Sequence, residues 1–547
     1  MRRWRPAGDA ALLLEAQGVA ARLAVAILTE RVAGVVDVVP GAQTVLVTIE
    51  PGSNDVGELA AALLELPLPP GRPGEAALAE IAVVYDGPDL GEVAELTGLS
   101  PGEVVARHTA GEYTVGWLGF SPGFGYLTGL DPVLASVPRL AEPRLRVPAG
   151  SVAIAGGLAA VYPSTSPGGW RLLGRASAAL WDSGREPPAL LSPGMRVRFR
   201  QVDPGVLTPP RHTTPATSRP GDRKSGPVIE VIRPGPLATV QDLGRPGYGH
   251  LGVPHSGAAD AASLRLANRL AGNPDGAAGI ELTLGRAVFR FHSAAVVAVD
   301  GAPLPLTVEP GTEDAARDSR GGAGPSGPAE AATDSLGGVA ARDVPHGSAF
   351  EVPAGAVLRL GAPAAGLRSY LAVRGGVGVP AVLGSRSADL RSGLGPAALR
   401  PGDVLPVGDD QASAAGAAAA QPTVLPVPGE PAVLRVIPGP RDDWFAPDAL
   451  RQLCARTYVV TPASDRTGLR LDGPALPSAG RGELLSEGVA AGALQVPHGG
   501  KPILLLADHP VTGGYPVIAT VLSSDIGLAA QLRPGSKLRF ALAAPGR

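Results

Sequence analysis

Cysteine is nearly absent from this 547-residue chain. The lone Cys454 excludes an internal disulfide and any multi-thiolate metal centre. Lysine is almost as scarce, with Lys224, Lys501 and Lys537 alone among 47 basic residues. This arginine skew is read as the codon usage of a GC-rich genome. Neither sign of charge dominates: 47 basic against 50 acidic residues give −3, so there is no bulk field for nucleic acid or an anionic membrane. No run approaches 18 uninterrupted apolar residues, and the ALLL of the first 15 residues is too short for a signal sequence. A soluble, cytoplasmic protein is expected. The eight histidines are scattered and include no H-E-x-x-H, so no metal-ligating set is assigned.

Glycine and proline are plentiful. Gly 75 and Pro 58 together approach a quarter of the chain, yet 45% of it is hydrophobic, which excludes disorder throughout. Short strands joined by tight turns fit this composition, and long helical bundles do not. The fold class expected is mainly β and multi-domain, with a small α/β N-terminal domain. The pattern over residues 1–77 reads strand 9–15, helix 18–32, strands 35–39 and 44–49, and helix 55–66. A second unit covers 78–200. In it Ser100-Pro101-Gly102-Glu103 forms a capping box with proline at the first helical position, predicting a helix through His108. Residues 201–226 lack apolar periodicity and read as the clearest linker. A unit at 227–420 is interrupted by an expected disordered surface insertion at 309–347, and a last unit spans 421–547. Met195–Phe199 and Lys537–Phe540 are similar strand endings, each preceded by Pro-Gly, which hints at repeated barrels that close alike.

Familiar catalytic motifs fail on inspection. Gly-x-Ser-x-Gly occurs at 98–102, which is the capping box, and at 119–123. There Pro122 removes the N–H that an oxyanion hole would use. Gly499-Gly500-Lys501-Pro502 is no Walker A loop, and Pro380 spoils a Rossmann-like turn at 376–381. More informative are loops dense in glycine, proline, arginine and acid, such as Gln241-Asp242-Leu243-Gly244-Arg245, Ser464-Asp465-Arg466 and the stretch from Asp508 to Pro516. Singly, such groups brace turns. Together they suit a ligand bearing carboxylate or phosphate.

These loops carry a resemblance to a known family. GFSPGFGYL, EPRLRVPAGSVAIAG and VYPSTSPGGWRLLGR place residues 1–200 with the KipI or allophanate hydrolase subunit 1 family, also called the B component of 5-oxoprolinase. VQDLGRPGYGHLGVPHSGAAD, LANRLAGN, GLRSYLAVRGG, VLGSRS, SDRTGLRLDG and LLLADHPVTGGYPVIATV place residues 228–544 with KipA, the C component of the same enzyme. The chain resembles a natural B–C fusion. The resemblance implies cyclophilin-like β-barrels, one in the first half and two in the second. It also implies ATP-dependent opening of 5-oxo-L-proline to L-glutamate (EC 3.5.2.9), using ATP with Mg2+. That activity would need an oligomeric complex with a third protein of the LamB/YcsF type, the A component.

On that resemblance, site roles can be assigned. His108 is expected as proton shuttle or substrate contact. Arg144, Arg245 and Arg466 are expected as anion clamps, and Asp242, Asp465 and Asp508 as the groups that orient a metal-bound nucleotide or water. Gly168-Gly169 and Gly513-Gly514 would let backbone approach the ligand. Gln241, Ser256, Arg386, Gln495 and Tyr515 are further binding candidates. Two rival functions share the resemblance: the carboxyltransferase part of a biotin-dependent urea carboxylase, and a regulator of a sensor kinase. Neither Met1 nor Met195 adjoins a lysine, so no covalently attached biotin is expected. Fusing an inhibitor to its antagonist would serve a switch poorly, whereas fusing two components of one enzyme raises their effective concentration.

Overall fold

Leu12, Leu13 and Leu14 are all fully buried. Side chains alternate across a strand, so this is possible only where both faces of a sheet are covered. The sheet is four-stranded and antiparallel, in the order Arg3–Pro6, Ala11–Glu15, Thr44–Ile49, Val35–Pro40. Leu12 and Leu14 pack under the helices Ala20–Glu30 and Val56–Glu65. Leu13, Val39 and Leu46 face the other way and meet Val511, nearly 500 residues along the chain. The computed structural model describes residues 3–50, 55–69, 77–140, 142–207, 227–311, 341–410 and 423–543. The expected linker at 201–226, the insertion at 309–347 and the break near 420 fall largely outside these described residues. Among them, no helix is long and apolar enough to cross a membrane.

Two seven-stranded closed barrels stand near the ends of the chain. The first is built from Leu78–Val84, Tyr113–Leu118, Gly125–Thr128, Ser151–Ala155, Leu158–Val161, Arg171–Ala176 and Arg196–Gln201. The second uses Ala432–Pro438, Thr457–Val460, Gly468–Asp472, Ala493–Gln495, Ile503–Leu505, Val517–Val521 and Lys537–Leu542. With strands numbered within each barrel, both have the cyclic order 1-6-4-5-3-2-7. In both, the last strand closes the barrel by pairing parallel to the first, which accounts for the similar sequence endings. Each barrel also carries a two-stranded flap at the same point of its topology. The first flap is Arg144–Val147 with Ser166–Gly168, and the second is Glu487–Gly488 with Thr512–Gly513. The capping box at Ser100 forms as expected and starts the helix Pro101–Ala110.

The middle block differs from the barrel expected there. Its strands form two sheets, of seven and five strands, that share one apolar core without closing on each other. The helix Ala261–Ala271 covers the outer face of the five-stranded sheet with Leu264, Ala267 and Ala271. Each sheet thus buries its apolar face, and closure is not needed to remove it from water.

Candidate functional site at the meeting of three domains

The loop GFSPGFG leaves the first barrel and is held by the second half of the chain. The Phe120 N–H donates to Thr512 Oγ1 at 2.7 Å, and the Tyr126 hydroxyl lies 3.0 Å from the same oxygen. The Gly123 N–H donates to the Leu251 carbonyl at 3.0 Å. Gly252, at φ +81°, comes so close that a Cβ there would collide with the Ser121 carbonyl oxygen. Phe120 itself sits at φ +61°, a left-handed conformation that costs a non-glycine residue of order 1–3 kcal/mol and persists where surroundings impose it.

Beside this joint lies a buried charge network. Asp508 Oδ1 accepts from Ser256 Oγ at 2.6 Å and from Arg466 Nη2 at 3.0 Å, and its Oδ2 accepts from Arg466 Nε at 2.8 Å. Arg466 Nη1 donates to Glu281 Oε1 at 2.5 Å, and Tyr370 donates to the other oxygen of Glu281 at 2.8 Å. Burial alone would raise Glu281, but Arg466 and Arg368 more than offset it and hold the carboxyl below its ordinary range. Burial likewise disfavours charge on Arg466, yet Asp508 and Glu281 keep it well above the usual value. Asp242 receives the Ser385 hydroxyl at 2.6 Å, the Ser387 hydroxyl, and the backbone N–H of Arg386 at 2.6 Å. Arg245 donates to the Ser387 carbonyl, but its Nε and Nη1 are buried without a partner. Burial lowers its pKa, opposed by Asp389, Asp242 and Asp508. Orphaned donors of this kind mark room for an ordered water or an anion.

A cavity of about 500 Å³ opens next to this network. The first barrel's flap contributes Arg146 and Ser166, the middle block contributes Arg391, and the second barrel contributes Asp465, Arg466 and Asp508. All three large units therefore line one space. Asp465 accepts the Thr467 N–H at 2.7 Å and stands at the exposed edge.

Seven expected residues come together in the network: Gln241, Asp242, Arg245, Ser256, Arg386, Arg466 and Asp508. Gln241 is wholly buried, donates to the Ala388 carbonyl at 3.0 Å and leaves Oε1 unpartnered. The flap residues have other occupations. The space where a Cβ on Gly513 would lie is taken by Gln495 Nε2, and the corresponding space at Gly514 by Arg139 Nη1. Gln495 also donates to the Tyr515 carbonyl at 3.3 Å. A Cβ on Gly168 would collide with the Tyr162 hydroxyl, and beside Gly169 the nearest atoms belong to Pro143. Gly168, Gly513 and Gly514 thus admit the protein's own side chains. Arg144 is engaged by Asp89 at 2.5 Å. His108 is set apart from the network, in an aromatic core with Tyr113 and Phe199. Its Nδ1 lies 2.7 Å from the Tyr85 hydroxyl, and burial lowers its pKa to about 3.

Reading the sequence missed Arg391, Asp389, Arg146 and His509. Asp389 is buried, and its carboxyl is raised first by desolvation and then by Asp508. His509 donates from Nδ1 to the Pro510 carbonyl at 2.9 Å. Its pKa falls to about 4 by burial, with Arg391 adding to the effect, so the ring is neutral near pH 7 and its Nε2 keeps a lone pair. The usable signals were adjacency alone: Asp389 and Arg391 follow the GSRS motif, and His509 follows Asp508.

Comparison with known proteins agrees with this two-part organisation. Residues 2–191 match the family model for the carboxyltransferase domain, subdomain C and D, and residues 251–542 that for subdomain A and B. The chain is 34% identical over 316 residues to the C component of 5-oxoprolinase from Escherichia coli K12, covering 57% of this chain and 90% of that protein. It is 51% identical over 135 residues to the B component of 5-oxoprolinase from Escherichia coli O157:H7, covering 24% of this chain and 62% of that one. Urea amidolyase of Saccharomyces cerevisiae is 29% identical over 332 residues, which is 16% of its length. The crystal structure of TTHA0988 superposes with a TM-score of 0.80 at 36% identity, covering 99% of this chain and 100% of that one.

Proposed function

The chain belongs to the carboxyltransferase-domain family, with the C/D subdomains preceding the A/B subdomains in one polypeptide, and on that premise we propose that it is the fused B and C components of an ATP-dependent 5-oxoprolinase. The observation that carries the reading is the joint. One half is similar to the B component and the other to the C component, and the loops of both halves lock around a single cavity lined by each. The reaction is the opening of 5-oxo-L-proline to L-glutamate, with a LamB/YcsF-type protein as the obligate partner.

A five-membered lactam is a weak electrophile. Bound ATP with Mg2+ supplies the phosphoryl group that turns the amide oxygen into part of a leaving group. The residues present fit such an anionic guest. Arg391 and Arg146 line the cavity, and Arg245, buried in the neighbouring network, keeps two donors without a partner. Among the described residues no cluster of three or more His, Cys, Asp or Glu side chains is arranged to hold a metal, so Mg2+ would be carried by the nucleotide together with single carboxylates such as Asp465. The chain's own contribution is to bind and orient. Cations hold the negative groups, Asp508 is immobilised by Ser256 and Arg466, and neutral His509 has the protonation state needed to accept a proton from water.

The test is glutamate release from 5-oxo-L-proline and Mg-ATP, with the chain alone and mixed with the LamB/YcsF-type partner. Glutamate is expected only in the mixture. A folded, assembled mixture that makes none, while the chain transfers the carboxyl group from carboxybiotin, supplied by a separate biotin carboxylase, to urea, with biotin released, would replace this reading with carboxyl transfer.

A further inference from the structure

Four arginines line the cavity: Arg146, Arg391, Arg466 and Arg470. Arg466 is saturated by Asp508 and Glu281. Arg391 is half-buried, and its guanidinium makes no hydrogen bond or ion pair among the described residues. Its Cζ lies over the Phe120 ring, 5.1 Å from the ring centroid, and that ring comes from the other half of the chain. The carboxylates that act on Arg391 through space are Asp389, Asp465 and Asp508, and each is already occupied. Asp389 accepts the backbone N–H groups of Arg391 and Ser392, both at 3.1 Å, together with the Ser392 hydroxyl. Asp465 accepts the Thr467 amide, and Asp508 accepts Ser256 and Arg466.

We propose that Arg391 is the anion-binding residue of the interdomain cavity, presented by Phe120 across the joint between the two halves, and that its ligand is the carboxylate or phosphate of a small polar molecule. Three independent features carry this. First, the guanidinium is half-buried inside the cavity and its donors are taken by no protein group among the described residues, so an anion can pair with them without breaking an existing contact. Second, the Phe120 ring attracts the cation without using any of its N–H donors, so the guanidinium fork stays available to meet carboxylate or phosphate with two parallel bonds. Third, the ring beneath it is fixed. Phe120 holds a left-handed backbone, and its N–H is fastened to Thr512. Arg146, on the first barrel's flap, faces the same space with no side-chain partner among the described residues and adds a second cation at the rim. Only the identity of the ligand rests on the proposed function; the anion seat itself does not.

The experiment is calorimetric titration of the full chain with three probes: 5-oxo-L-proline, its uncharged carboxamide, and Mg2+ with a non-hydrolysable ATP analogue. Wild type is compared with R391K, R391M and F120L, each checked for an unchanged melting profile. R391K keeps the charge and so guards against a folding defect. At least one anionic probe is expected to bind, with affinity about tenfold weaker in R391K and weaker still in R391M, and a smaller loss in F120L. The carboxamide is expected to differ little between variants. Dependence in the 5-oxo-L-proline arm assigns a carboxylate ligand, and dependence in the nucleotide arm a phosphate. Wild-type affinity for both anions in R391K and R391M, or no binding of either anion to wild type, overturns the proposal. Assembled-complex turnover separates the two conclusions. Normal turnover and binding in the Arg391 variants would sink the anion seat and leave the function standing. Arg391-dependent binding without any 5-oxoprolinase turnover would do the reverse.

Discussion

At the scale of single residues, burial decides which titratable groups serve chemistry and which serve the core. His108 was the sequence's most attractive acid–base candidate, but it lies among aromatic rings with Nε2 unpartnered. Its pKa is lowered to about 3 by burial, so the folded chain keeps it neutral where the unfolded chain, near the ordinary value of about 6.5, takes up a proton. Stability from this group is therefore full above about pH 6.5 and falls by about 1.4 kcal/mol per pH unit below it. Asp37 and Asp300 are raised to about 6 by burial and act with the opposite sign, contributing below the ordinary carboxylate value and losing that contribution as pH rises to about 6. The variant H108F isolates the histidine. At pH 7.5 it is expected to cost about 1 kcal/mol, because the Tyr85 hydroxyl loses a partner. Between pH 7.5 and 5 it is expected to lose about 2 kcal/mol less than wild type. Urea denaturation at the two pH values reads both effects, and an unchanged gap would mean that His108 is not held neutral.

At the scale of elements, the loops matter more than the strands. The two barrels provide equivalent flaps, but only the close approach of loop to loop assembles the cavity. Gly252 and Gly247 lie in the same segment with φ of +81° and +89°, so alanine strains both backbones alike. They differ in surroundings: a Cβ at 252 meets the Ser121 carbonyl, whereas nothing lies within 4 Å of one at 247. G247A is expected to lose about 1 kcal/mol through backbone strain. G252A is expected to lose clearly more and to lose glutamate formation with the LamB/YcsF-type partner, because the GFSPGFG loop can no longer seat. Melting temperatures and turnover of the pair would show this; equal behaviour of the two variants would argue that the joint is not tight.

At the scale of the whole molecule, the halves are held by more than the connection between them. Apolar contact runs from Leu13, Val39 and Leu46 to Val511. Arg5 pairs with Asp443 at 3.2 Å, and Asp9 accepts the Ser523 hydroxyl at 2.7 Å. A protease site placed within residues 208–226 is therefore expected to allow cleavage without separation: size-exclusion chromatography should return both fragments in one peak, still active with the LamB/YcsF-type partner. Fragments that part on cleavage would show that covalent linkage supplies the effective concentration on which the joint depends.

Local rules read from the sequence were sufficient for much of the framework. The capping box at Ser100, the alternating strands and the Pro-Gly strand endings depend on neighbours a few residues away, and the structure forms each of them. The motifs of GFSPGFG, GSRS and DHPVTGGYP marked the loops that meet. Tertiary structure alone decided the rest. It made the middle block a pair of open sheets, because a helix covers one of them. It buried His108 and filled the flap glycines with protein side chains. It also left the Arg391 guanidinium without a hydrogen bond or ion pair among the described residues, over Phe120, 271 positions earlier in the chain. Whether a charged side chain is spent on a neighbour or kept for a ligand depends on which groups from distant segments stand within about 4 Å of it, and no local pattern encodes that distance.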